Sequence, residues 1–103
     1  MYSVDDIQLE HRLIDGLNTR IASVGEGPVA LLIHGWPECW YSWRPQMVAL
    51  ANAGFRAVAP DMPGFGETDA LPQIKDYNAK RIAAFMQGLV EYANGGKPLL
   101  LIG

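Results

Sequence analysis

Three short, mainly apolar runs constrain this chain more than any other feature: "VALLI" (Val29–Ile33), "FRAVAP" (Phe55–Pro60) and "LLLI" (Leu99–Ile102). A run of this length without polar alternation is the pattern of a strand covered on both faces. Between the runs lie two stretches with helical periodicity. "RPQMVALANAG" places Met47, Val48, Leu50 and Ala51 on one side, tolerates Pro45 in its first turn and stops at Gly54. Tyr77–Asn94 repeats apolar residues at Ile82, Met86, Leu89, Val90 and Ala93, and "NGG" ends it. Upstream, "QLEHRLIDG" and "LNTRIASVG" alternate on either side of Gly16 and predict an antiparallel hairpin near the surface. "GEGP" (Gly25–Pro28) reads as a turn and Asp61–Pro72 as a loop. Buried strands alternating with helices specify an α/β fold with a parallel sheet and right-handed crossovers. If the second and third parallel strands flank the first on opposite sides, the two helices fall on opposite faces of the sheet. Strand order then reverses beside Val29–Ile33, and a crevice opens at the carboxyl end of that strand, where open α/β sheets bind ligands. The segment "HGWPECWYSWRPQM", which holds all three tryptophans, lies at that position.

The 103 residues suffice for one domain, and half of them are hydrophobic against 18% charged, so a folded core is expected rather than disorder. The net charge of −3 and the lack of a Lys/Arg cluster argue against a nucleic-acid partner. "MYSVDDIQLE" has neither a basic start nor an apolar stretch, so no signal peptide is expected. No apolar run approaches membrane-spanning length, and a cytoplasmic protein without a membrane partner is the expectation. Cys39 is the single cysteine and cannot form a disulfide within the chain. A five-stranded sheet is roughly 20 Å across and a helix roughly 10 Å wide, so one helix per face covers about half of it. The strand "LLLI" would also present a bare apolar outer edge. Residues 1–103 therefore read as the N-terminal portion of a single larger domain, with a minimal α/β domain ending in a short strand as the alternative.

His34-Gly35-Trp36-Pro37 is the segment with chemical potential. Gly35 lets the backbone turn sharply after a buried strand, while Pro37 fixes its own φ and restricts Trp36. Such a corner can hold the Trp36 N–H aimed into the crevice, as one half of an oxyanion hole. Spacing alone favours an ordinary strand-to-helix turn, since Gly and Pro are common turn residues. His34 follows an apolar strand and reads as a buried, hydrogen-bonded structural histidine rather than a base. Trp40 and Trp43 read as anchors that pack the loop on the first helix, and Cys39 as a structural thiol. "GFGETD" has Asp69 where a dinucleotide loop needs glycine, and "GGKP" lacks the spacing of a phosphate loop. Asp61 and Asp69 could be paired carboxylates, but Asp61 reads better as a loop residue accepting bonds from backbone N–H groups. Tyr41 and Tyr77 are assigned to packing.

"HGWPECWYSWRPQMVALANAGFRAVAPDMPGFGETD" resembles the α/β-hydrolase superfamily, and most closely its epoxide hydrolase branch. The resemblance rests on His34–Pro37, Ser42–Arg44, Ala53–Arg56 and Pro60–Thr68, with Thr68 standing where the family usually has serine. It implies that the Trp36 backbone N–H is an oxyanion donor, that Trp36 lines the substrate crevice and that the Trp36–Pro37 bond is cis. It also implies that His34, Gly35 and Pro37 shape the loop. The family's nucleophile sits on a sharp turn, of His-Asp-X-Gly or His-Ser-X-Gly type, after the strand matching Leu99–Ile102. The nucleophile, second oxyanion donor, lid, acid and base are absent from this chain, and His11 lies in the hairpin, where the family has no base. The resemblance implies epoxide hydrolysis by an aspartate nucleophile through an ester, with a small-molecule substrate (an epoxide or ester) and no metal or organic cofactor. The 103 residues alone are expected to be inactive. A haloalkane dehalogenase would usually carry asparagine in place of Trp36. A serine esterase or carbon–carbon bond hydrolase would differ at the nucleophile. A non-catalytic fragment or interaction module is the alternative of another class.

Overall fold

The computed structural model describes residues 1–35, 38–95 and 99–103. Its elements are β1 (Gln8–Ile14), β2 (Leu17–Val24), β3 (Val29–Leu32), α1 (Arg44–Asn52), β4 (Arg56–Pro60), α2 (Ala79–Asn94) and β5 (Leu100–Ile102). They build one five-stranded sheet in the order β1-β2-β4-β3-β5. β3 pairs parallel with β4 on one side and with β5 on the other. β4 and β5 thus flank β3 on opposite sides, the condition under which the strand order reverses at β3.

The β1–β2 hairpin turns through Asp15 and Gly16, both at positive φ (48° and 83°), the conformation that a two-residue Asp-Gly hairpin turn favours. The hairpin was expected near the surface, and only β1 is there. β2 pairs antiparallel with β4, and Ile21–Val24 are buried between them and the two helices. The position of β2 inside the sheet, rather than its mixed alternation, sets its burial.

Alternate residues of the sheet separate two cores. Ile14, Leu17, Ile21, Val29, Leu31 and Val58 meet Phe85 and Leu89 of α2. Ala22, Val24, Leu32, Ala57 and Ala59 meet Met47 and Ala51 of α1. Because side chains alternate across a strand, the neighbours Leu31 and Leu32 in different clusters place the helices on opposite faces. Removing a side chain such as Leu31 from water stabilises the fold by about 1.5–3 kcal/mol. α1 carries Pro45 in its first turn, as expected. α2 starts at Ala79, because the Asn78 side chain caps it by accepting the Arg81 N–H at 2.9 Å, and Gly95 ends it in the left-handed conformation. Leu100 and Leu101 are exposed, and β5 is the terminal strand of the sheet. No helix among the described residues is long and apolar enough to cross a membrane.

Candidate active site

The carboxyl ends of β3, β4 and β5 lie side by side. The Ile33 N–H donates to the Ile102 carbonyl at 2.8 Å, so the chain after β3 emerges beside the end of β5. β3 ends at Leu32, sooner than the apolar run suggested, and His34 begins the connecting loop. His34 is buried. Its Nε2 faces the Met62 N–H at 2.9 Å and its Nδ1 faces the Gly35 carbonyl at 2.9 Å. A backbone N–H only donates, so Nε2 accepts and the proton sits on Nδ1. Both nitrogens of the neutral ring are then satisfied. The Phe65 ring packs edge-on against it at 5.3 Å. This is the structural histidine expected from its place after an apolar strand.

Trp36 and Pro37 lie outside the described residues, and with them the expected oxyanion donor and cis bond. On either side of them, the Glu38 N–H donates to the Gly35 carbonyl at 2.8 Å, and residues Trp40–Trp43 form a helical turn leading into α1. Trp40 and Trp43 pack against the α1-side core, as their amphipathic character suggested. Tyr41 is exposed and the Arg44 guanidinium lies over its ring, 3.2 Å from the centroid. Cys39 is a half-buried free thiol preceding this turn.

Asp61 ends the β4 side of the site and is 1% exposed. Its Oδ1 accepts the Trp40 N–H at 2.8 Å and its Oδ2 accepts the Glu67 N–H at 3.0 Å. Its carbonyl accepts the Thr68 hydroxyl at 2.7 Å, and that hydroxyl in turn accepts the Arg20 N–H at 3.0 Å. Serine could make both bonds, so threonine meets the same need. Gly66 lies directly under the carboxylate: a Cβ there would come within 2.0 Å of Oδ2. Gly66 of "GFGETD" thus makes room for Asp61, and no helix opens directly on the motif, so the geometry of a dinucleotide loop is missing. Asp69 serves a different purpose. Its Oδ2 accepts the Asn18 N–H at 2.9 Å, tying the loop to β2. The two aspartates act separately rather than as a pair.

Asp61 accepts backbone N–H groups, as its place after a strand predicts, and its bond to Trp40 joins it to the loop after β3, which no local pattern in the sequence signals. Tyr77 also does more than pack, because its hydroxyl accepts the Leu71 N–H at 2.9 Å and leans over Gly64. Clefts of 290, 430 and 300 Å³ lie elsewhere on the molecule. The largest is bordered by Asp15, Leu71, Asn78 and Arg81, and Arg81 is held there by Asp15. The chemistry-bearing segment is identified by topology and hydrogen bonding, not by these concavities.

The model of the α/β hydrolase fold family matches residues 28–103, and the chain belongs to that family. Its relatives narrow the branch. Epoxide hydrolase 1 of Siraitia grosvenorii is 44% identical over 98 residues, covering 93% of this chain and 31% of that protein. Bifunctional epoxide hydrolase 2 of Sus scrofa is 44% identical over 79 residues, covering 74% of this chain and 14% of that protein. The crystal structure of an epoxide hydrolase from Vigna radiata superposes with a TM-score of 0.92 at 38% identity, covering 98% of this chain and 31% of that one. The chain thus resembles epoxide hydrolases and spans less than a third of the length of these relatives.

Proposed function

We propose that this chain supplies the oxyanion-side half of an epoxide hydrolase active site. One observation carries the reading: the loop from His34 to Trp40 is fastened at the carboxyl end of the switch-point strand, beside the end of β5. The similarity to epoxide hydrolases supports the choice of reaction. In the complete enzyme an aspartate on the turn after β5 attacks an epoxide carbon. The ring C–O bond breaks, its electron pair stays on oxygen, and that oxygen takes up a proton. A histidine-activated water then adds to the ester carbonyl, and the collapse of that adduct releases a vicinal diol and the free carboxylate. The Trp36 N–H donates to the oxyanion of the water adduct, while His34, Gly35 and Pro37 shape the loop that presents it. The Trp36 side chain lines the crevice.

The test is expression of the whole reading frame that contains these residues, followed by assay on a small aryl epoxide in ¹⁸O-water. Diol formation, with an ester on the aspartate trapped in a single turnover, is expected. The isolated 103 residues are expected to give no diol. A serine in the nucleophile position with ester but no epoxide turnover would replace this reading with an esterase. A frame without a nucleophile turn would leave a non-catalytic protein.

A further inference from the structure

We propose that Asp61 is a positioning residue of this site, which sets the loop carrying the oxyanion donor and acts selectively on the ester-hydrolysis step. The proposal rests on the epoxide hydrolase reading above and adds a residue to it.

A loop leaving a strand is mobile unless something ties it down. Here both ends of the loop are tied to two consecutive residues. The His34 ring accepts the Met62 N–H at one end, and the Trp40 N–H donates to Asp61 Oδ1 at the other. Asp61 and Met62 directly follow Pro60, the last residue of β4, so both anchors refer to one place in the sheet. Asp61 is itself held from four directions. Its N–H donates to the Arg20 carbonyl at 2.9 Å, its carbonyl accepts the Thr68 hydroxyl, Oδ2 accepts the Glu67 N–H, and Gly66 closes beneath it. Burial at 1% exposure keeps water from substituting for these bonds.

This arrangement needs a carboxylate. Two oxygens face two backbone N–H groups, one in each loop. Asparagine offers one oxygen, and its amide nitrogen would meet the other N–H donor to donor. One of the two clasps must open in Asp61→Asn. A displaced oxyanion donor costs rate steeply, since misplacement by about 1 Å is worth up to about 100-fold. The cost falls on one half-reaction. Epoxide opening places developing charge on the epoxide oxygen, whereas water addition to the ester places it on the carbonyl oxygen, the charge that the proposed function assigns to the Trp36 N–H.

The experiment is single-turnover kinetics on the intact protein, with ester formation and ester hydrolysis timed separately by quenching and mass spectrometry. Asp61→Asn is expected to slow ester hydrolysis about 10-fold or more while ester formation stays within about 2-fold. The ester then accumulates, and kcat and KM fall together. Asp69→Asn makes the same chemical change in the same loop without touching the loop after β3, and is expected to leave the ratio of the two rates unaltered. Equal slowing of both steps in Asp61→Asn, or the same selective slowing in Asp69→Asn, overturns the proposal. If Asp61→Asn does not fold, hydrogen exchange in the unmutated protein decides: a protected Trp40 amide is expected, and exchange at the rate of an unbonded amide refutes the clasp. Failure of the unmutated protein to form any ester would instead sink the epoxide hydrolase reading, so the two failures are distinct.

Discussion

Two regions of this small molecule are held together in opposite ways. Under α2, Phe85 and Leu89 meet Ile21, Leu31 and Val58, and cohesion comes from apolar volume. Around the carboxyl ends of β3 and β4, Asp61, Thr68 and His34 are also buried, and cohesion comes from hydrogen bonds aimed at backbone groups. Packing is additive and forgiving of exact geometry, because many apolar shapes fill a similar space. A buried polar cluster stabilises only when every group is matched, because each unmatched one costs its desolvation in full. The apolar region therefore sets whether the chain folds. The polar region sets where the loop after β3 sits. Each can be broken separately.

The largest expected effect is on the apolar side. Phe85→Ala removes a fully buried ring at the centre of the α2 face and should cost about 3–5 kcal/mol in urea unfolding. That is a large share of the 5–15 kcal/mol typical of a domain, so extensive unfolding at 37 °C is expected. A loss below about 1 kcal/mol would mean that α2 is not tightly packed on the sheet. On the polar side, Gly66→Ala should cost about 2 kcal/mol. The new Cβ would sit 2.0 Å from Asp61 Oδ2 at a backbone φ of 52°, forcing the carboxylate off its N–H partners. The sharper signature is selective: increased hydrogen exchange at Trp40 and Glu67, with the amides of α2 unchanged. Uniform loss of protection would dissolve the distinction between the regions.

The same contrast explains what could be read from the chain. Apolar runs and periodicity are local signals, and they placed β3, β4, β5 and both helices, while the flanking of β3 by β4 and β5 stayed a condition until the strands were paired. Phe85 was within reach of that reasoning. It lies three residues after Ile82 and four before Leu89, on the stripe, and is fully buried, while Ile82 and Met86 flank it partly buried. The clasp was not within reach. Trp40 and Asp61 are 21 residues apart and His34 and Met62 are 28 apart, and each pair joins a backbone group that has no sequence signature. Only the chemical logic of its two side chains was legible: Asp61 as an acceptor after a strand and His34 as a buried, hydrogen-bonded histidine. Gly66 was seen as part of a loop pattern, but its reason, the carboxylate above it, exists only once the loop has closed.

A smaller effect separates a local polar bond from the clasp. Asn78→Ala removes the cap that accepts the Arg81 N–H and should cost about 1 kcal/mol. Because the side chain of Asn78 bonds to Lys75 and Arg81, away from the described residues of the site, the loss should appear as fraying of the first turn of α2 in hydrogen exchange, with the Trp40 amide unaffected. Increased exchange at Trp40 in this variant would show that the two regions are coupled through Tyr77 and the loop before α2.

The smallest effect is expected where a polar bond is barely buried. Tyr92 on α2 donates its hydroxyl to Glu10 Oε1 at 2.8 Å, and Arg12 pairs with the same carboxylate. The Arg12 hydrogen bond, helped by Tyr92 and opposed by partial burial, holds the Glu10 carboxyl below its ordinary range. Burial, followed by the bond to Glu10, raises the Tyr92 hydroxyl above its own. Glu10 therefore contributes stability that is present above its unfolded value of about 4.3 and is lost as pH falls through its lower folded value. Tyr92 contributes stability that is full below its unfolded value of about 10 and is lost as pH rises through its higher folded value. Glu10→Gln keeps an acceptor for Tyr92 but cannot pair with Arg12, so its cost at pH 7 should be below that of losing the Asn78 cap, since exposed charges are screened. Urea unfolding of both proteins from pH 7 to pH 3 should show that difference shrinking toward zero. A difference that persists unchanged at pH 3 would mean that Glu10 holds α2 to β1 by packing, which would place this contact with the apolar region rather than the polar one.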